Sequence, residues 1–325
     1  MKSLFFLRGR TALYYGLKYL NFNEGDEILV PSLICDVVID EVKKLGIKPV
    51  FYEVNERFEA KWNDIDKKYT KKIKGILMVH FFGKPQKLKK FKIFCKRKKI
   101  YLIEDNCHGF SGIKNTKFFG DIVIMSPYKI IKQINYGGIL IIKKNLMKTD
   151  LSLNSKKVHK NTIFTYFKTK TKSSKIFNKI YRNFFNRPNY ESISIQKKEP
   201  SYYNKLLDKK TIQIIKDFSF NREKNLRLKR FNIWKKVIQK FKLVPYFNYS
   251  NKDNYILWYL VVKINNYKIR KKIYNWGWKN NIDIVSWPSF PNEFKEKDQI
   301  YKFSRKFVLF PLNVDLRNDV KKFKY

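Results

Sequence analysis

Four short stretches carry side chains whose types and spacing could do chemistry together. Glu104-Asp105-Asn106-Cys107-His108-Gly109 offers carboxylates, a thiol and an imidazole, and Ser126-Pro127-Tyr128-Lys129 sets a hydroxyl three residues ahead of an amine. Gly9-Arg10-Thr11 stands where a helical pattern opens, and His80-Phe81-Phe82-Gly83 adds a second imidazole. Pyridoxal 5'-phosphate needs this set of parts. A lysine amine forms its Schiff base. A carboxylate beside the pyridine nitrogen stabilises the protonated ring as an electron sink. Backbone N–H groups at a helix start, aided by the helix dipole, take the phosphate.

The elements that must position these residues are legible as pattern. Apolar runs at Ile28–Pro31, Val50–Val54, Gly75–His80, Tyr101–Asp105, Ile122–Ser126 and Gly138–Lys144 read as strands. Amphipathic stretches such as Asp36–Leu45 and Gln86–Lys99 lie between them, and Thr11–Leu20 reads as a helix. Continuous Ile/Val/Leu strands alternating with helices imply βαβ units and a mostly parallel sheet. Ligands of such sheets bind beyond the carboxyl ends of the strands, which is where all four stretches fall. The expected fold is therefore α/β, a three-layer sandwich.

A large cofactor-binding domain is expected over 1–220, with 150–220 an irregular or helical insertion of weak periodicity. A smaller C-terminal α+β domain is expected over 221–325. It would hold a helix at Glu223–Phe241, a strand at Tyr255–Ile264, a helix at Lys268–Trp276 and short strands near Ile282–Ser286 and Phe307–Phe310.

Composition narrows the reading. The 325 residues hold 71 Lys and Arg against 27 Asp and Glu, a net charge of +44. Of the cations 59 are Lys and 12 are Arg. Residues that read bases or fork onto phosphates are disproportionately Arg, and no nucleic-acid motif is present. The lysine excess reads as the imprint of AT-rich codons on solvated faces such as Lys71-Lys72 and Lys96–Lys99. A 44% hydrophobic share excludes a disordered polycation. No apolar run approaches the length of a membrane helix. Cys35, Cys95 and Cys107 fit neither a disulfide framework nor a metal site, as expected of a cytoplasmic protein.

In this order the residues resemble the DegT/StrS family of sugar aminotransferases, enzymes of the type I pyridoxal-phosphate fold. The resemblance rests on Gly9-Arg10-Thr11-Ala12-Leu13, Gly25 to Pro31, Gly46 to Phe51, Val79 to Gly83, Ile103-Glu104-Asp105, Gly120-Asp121, Ser126 to Lys129 and Gly137-Gly138. It is dense from about 5 to 145 and weaker at Gly277–Pro291 and Phe307–Pro311.

The resemblance implies that Lys129 carries the cofactor, with Lys132 the nearby alternative. Asp105 would pair with the pyridine nitrogen, and Gly9, Arg10, Thr11 and Ser126 would hold the phosphate. His108 would replace the family's usual glutamine beside the ring oxygen, and His80 would either touch the cofactor or merely pack. Two departures stand out. Only eight residues precede Gly9, where relatives carry a longer segment, and Cys35 occupies the position of a ring-stacking aromatic. The partner-subunit asparagine of the family has only Asn221 as a candidate.

The implied function is a homodimeric aminotransferase that takes an amino group from a donor such as glutamate. It would place that group on a nucleotide-linked keto-sugar for surface polysaccharide. The alternatives are a degenerate member that binds a ligand without turnover and a cationic nucleic-acid binder resting on Lys156–Lys205.

Overall fold

The computed structural model describes residues 2–113, 118–146, 182, 206–287, 289–313 and 323. Most of the stretch expected as an insertion, including Lys156–Lys205 and His159 apart from Arg182, lies outside these residues. The described chain forms two compact units. One holds 2–146 and 206–218, and the other holds 182, 219–313 and 323.

The first unit is built on a seven-stranded sheet. In chain order its elements are β1 (Lys2–Phe6), α1 (Gly9–Tyr19), β2 (Glu27–Pro31), α2 (Asp36–Lys43), β3 (Lys48–Tyr52), α3 (Trp62–Lys68), β4 (Ile73–Val79), α4 (Leu88–Lys98), β5 (Tyr101–Asn106), β6 (Ile122–Met125), β7 (Gly138–Ile142) and α5 (Lys209–Lys216). The spatial order is β1-β7-β6-β5-β4-β2-β3. β2, β3, β4, β5 and β6 pair in parallel, and β7 is antiparallel to both β6 and β1. It follows that β1 runs in the same direction as β6, so six of the seven strands deliver their carboxyl ends to one edge.

Burial follows position in the sheet. β6 and β7, with sequences IVIM and GILII, are buried throughout, as strands covered on both faces must be. The edge strands β1 and β3 are half-exposed and each begins on an exposed lysine. Pro49, which has no N–H for a ladder, sits on the edge strand β3. α1 lies over β6 and β7 at a distance set by Gly16. A Cβ there would come within 2.6 Å of Ile122 Cδ1 and 3.0 Å of Leu140 Cδ1. α5, in the stretch of weak periodicity, is a capped helix: Asp208 accepts from the Thr211 N–H at 2.9 Å.

The second unit contains α6 (Phe220–Gln239), β8 (Tyr259–Lys263), α7 (Tyr267–Lys279), α8 (Gln299–Arg305) and β9 (Phe307–Pro311), with β8 and β9 antiparallel. Trp234 is fully buried, and its indole N–H donates to Pro311 O at 3.0 Å. Arg227 is also fully buried. It is held by Glu223 at 2.7 Å and by the carbonyls of Leu257 and Trp258 at 3.1 and 2.9 Å. The strand expected near Ile282–Ser286 is reduced to a single bridge between Val285 and Leu309.

Candidate active site

All of the chemistry-bearing stretches meet at the carboxyl edge of the large sheet. β1 ends just before Arg8-Gly9-Arg10, β2 before Ser32 and Cys35, β4 before His80, β5 at Asp105 and β6 before Ser126. The N-terminus of α1 is pressed into this edge by two glycines. A Cβ on Gly9 would collide with Ser126 Oγ and lie 3.1 Å from Cys107 Sγ. A Cβ on Gly138 would collide with the Arg8 carbonyl and lie 2.7 Å from Gly9 N.

The capping residue Arg8 makes no side-chain cap hydrogen bond, and the first turn holds no acidic residue. The first turn of α1 therefore presents backbone N–H groups beside the Ser126 hydroxyl, the arrangement that accepts a phosphate. Thr11 is buried in this turn, and Arg10 is half-buried within electrostatic reach of Asp40 on α2.

Asp105 is buried at the end of β5, and its Oδ1 accepts from the Cys107 N–H at 2.9 Å. The Cys107 thiol bonds to both Ser126 and Asp105, so it links the residue after β6 to the carboxylate of β5. Burial, with help from the Asp105 charge, pushes that thiol well above its usual range. Cys107 is therefore a neutral strut and not a thiolate nucleophile.

Lys129 closes a turn of 3-10 helix after β6 and is half-buried, whereas Lys132 is exposed. Burial works against the Lys129 ammonium, but Tyr128, Cys107, Cys35 and Asp105 around it outweigh burial and hold its pKa above the ordinary value. Cys35 thus stands beside the amine, where the resemblance calls for an aromatic ring.

His108 is buried beside Lys129, and its Nδ1 accepts the Phe82 N–H at 3.3 Å. Burial, and secondarily the Lys129 charge, drives its pKa well below the usual value. The neutral ring then carries its proton on Nε2, a donor. Phe82 is fully buried at φ 56°, a left-handed conformation uncommon for an aromatic residue, and its ring stacks on His108.

His80 stands one layer behind. Its Nδ1 accepts from the Gln86 N–H at 3.1 Å, and its Nε2 meets Glu104 Oε1 at 3.1 Å, so both ring nitrogens are engaged. Of the two readings of His80, packing accounts for every polar atom of the ring. Glu104 also accepts from the N–H groups of Phe119 and Gly120 at 2.9 and 2.8 Å. It lies on the opposite face of β5 from Asp105 and clamps the loop after β4 to the loop before β6. Burial raises the Glu104 pKa, but the His80 bond and the two backbone bonds outweigh burial and hold it below the ordinary carboxylate range.

A lowered carboxylate pKa stabilises the fold above the unfolded value of about 4.3, and this stability is lost as pH falls through the folded value. Glu104→Gln is expected to cost about 3 kcal/mol near neutral pH. It should also flatten the loss of stability on acidification. Urea unfolding midpoints measured across the acid range check both.

Two residues were not singled out by sequence reasoning. One is Cys107, which the Asp105–His108 spacing would have placed in the site. The other is Arg8, whose guanidinium lies over the rings of Tyr128 and Tyr136 at 5.3 and 4.6 Å and donates to Asn135 O at 3.4 Å. It pins the start of α1 to the loop that carries Lys129. Among the described residues no group of three His, Cys, Asp or Glu is placed to hold a metal ion.

Residues 6–161 match the sequence model of the DegT/DnrJ/EryC1/StrS aminotransferase family. This part of the chain belongs to that family. A GDP-perosamine synthase of Escherichia coli O157:H7 is 33% identical over 122 residues, covering 36% of this chain and 34% of the relative. A Bacillus subtilis 3-oxo-glucose-6-phosphate:glutamate aminotransferase is 29% identical over 175 residues, covering 52% of this chain and 37% of the relative. The chain thus spans about a third of the length of the curated relatives it matches. An aminotransferase structure from Psychrobacter cryohalolentis superposes with a TM-score of 0.66, covering 98% of this chain and 84% of that one, at 16% identity. At that identity the likeness shows the fold alone, that of the type I aminotransferases.

Proposed function

We propose that the chain is a pyridoxal-phosphate-dependent aminotransferase acting on a nucleotide-linked keto-sugar, with glutamate as the amino donor. The observation that carries this reading is the convergence of the α1 N-terminus, Asp105, Ser126 and Lys129 on one sheet edge. The cradle fits the cofactor. Gly9 leaves open the space a Cβ would fill beside Ser126, and the donor set is a helix start, a hydroxyl, a carboxylate and an amine. The names of the relatives, a GDP-perosamine synthase and a glutamate-dependent aminotransferase of an oxo-sugar phosphate, support the substrate and donor classes. A homodimer in the cytoplasm belongs to the same reading. Among the described residues no helix is long and apolar enough to cross a membrane.

The roles follow from the chain's own groups. The N–H groups of the first α1 turn and Ser126 Oγ would bind phosphate, with Arg10 and Thr11 beside them. Asp105 would hold a proton on the pyridine nitrogen, and its hydrogen bond from the Cys107 N–H fixes its orientation. His108 would donate Nε2–H to a ring oxygen. Lys129 would attach the cofactor and, once released, move a proton to and from the substrate carbon as general base. When bound, the cofactor supplies the electron sink that makes that carbon acidic.

Glutamate added to the cofactor-loaded protein is expected to convert the cofactor to its amine form and release one equivalent of 2-oxoglutarate. The second reading, a member that binds the cofactor without turnover, is favoured by Cys35 at the position of the stacking ring. A loaded protein whose cofactor is not converted to the amine form by glutamate or by other amino donors would establish that reading instead.

A further inference from the structure

The segment that carries α4 is the densest concentration of positive charge on the described chain. Nine of the sixteen residues from Lys84 to Lys99 are Lys or Arg, and none is Asp or Glu. α4 buries Phe91, Phe94 and Cys95 and packs against β4 and β5, with Trp62 of α3 edge-on to Phe91 at 4.9 Å. The opposite face centres on Ile93, which is 55% exposed. Its four neighbours on the helix surface, three and four residues away on either side, are Lys89, Lys90, Lys96 and Arg97. All four are exposed, and Arg97 pairs with Asp66 at 3.3 Å.

Lys89, Lys92 and Lys96 follow one another at spacings of three and four residues, and like charges so spaced destabilise a helix in isolation.

We propose that the α4 face docks on an anionic phospholipid bilayer, with the lysines at the headgroups and Ile93 at the acyl boundary. Charge complementarity to an anionic surface supports this, and the composition selects among anionic surfaces. The ring is mostly Lys, a point charge suited to headgroup attraction and not to forked recognition of nucleic-acid phosphates. A central apolar side chain gains from a bilayer interface and gains nothing from a phosphodiester backbone. The proposal is independent of the aminotransferase reading, because α4 contributes no residue to the site.

Sedimentation of the full chain with vesicles tests it. Binding is expected to phosphatidylcholine vesicles containing about a quarter phosphatidylglycerol and not to phosphatidylcholine alone. Lys89→Glu with Lys96→Glu should weaken partitioning by at least about tenfold. Ile93→Ser, at unchanged charge, should weaken it about threefold. Lys295→Glu with Lys297→Glu, the same charge change at exposed positions ahead of α8, should leave it within about twofold. The α4 reversal relieves like-charge repulsion, so it should fold, and circular dichroism and a thermal melt verify that.

Equal losses from the α4 pair and the Lys295/Lys297 pair would mean diffuse charge and would overturn the proposal. So would a silent Ile93→Ser, or duplex DNA binding tighter than vesicles and lost in the α4 pair.

Discussion

Lys129→Ala is expected to lower transamination by about 10³-fold or more and to abolish the visible absorbance of the lysine-bound cofactor. The expectation follows from the surroundings of this one amine among 59 lysines. It is half-buried, with Asp105, Cys107, Cys35 and His108 in electrostatic range. No other group in the site can both attach a carbonyl and shuttle the proton. Removing the amine leaves the phosphate cradle intact, because the α1 N-terminus and Ser126 are positioned by Gly9 and Gly138. The variant should therefore still bind pyridoxal phosphate without attaching it. Equilibrium dialysis separates this outcome from a collapsed fold. Absorbance that persists in Lys129→Ala would move the role to another lysine.

Asp105→Asn is expected to lower kcat by about 10² to 10³-fold while the cofactor remains attached to lysine. The amide oxygen can still accept the Cys107 N–H, so the strand-end turn should survive and the change isolates the charge. A neutral partner no longer stabilises a protonated pyridine nitrogen, and the ring loses much of its capacity as an electron sink. Single-turnover conversion with glutamate, followed by absorbance, measures the step directly. Thermal melts of the variant and the parent should agree, which separates a chemical defect from a folding one. A rate within about threefold of the parent would remove Asp105 from the chemistry.

The candidate site was legible in the sequence because its residues sit where strands end. Ser126 and Lys129 follow β6, and Asp105 is the last residue but one of β5, so placing the apolar runs also placed the candidate groups. Legibility stopped where pairing is non-local. β1 reads as a brief apolar patch cut short by Arg8, and only its pairing with β7, far along the chain, makes it a strand. That pairing turns β1 to run with β6 and brings Gly9 to the site.

α1 begins at Gly9, two residues ahead of the start suggested by pattern, because its cap is an arginine with no side-chain bond. α3 buries only Ile65 over seven residues and has little period to detect. The second role at each position was also hidden. Glu104 and Asp105 are adjacent in sequence, but strand alternation sends one to a structural clamp with His80 and the other to the candidate active site. Arg8 joins the site through contacts across the fold that no local spacing reports.

The central claim is that Lys129 is the amine that takes pyridoxal phosphate at this sheet edge. Borohydride reduction of the loaded protein, followed by peptide mass spectrometry, tests it most directly. The account predicts a reduced pyridoxyl-phosphate adduct on the peptide carrying Lys129, stoichiometric with protein. An adduct on Lys132, or label scattered over surface lysines with none at Lys129, would contradict it.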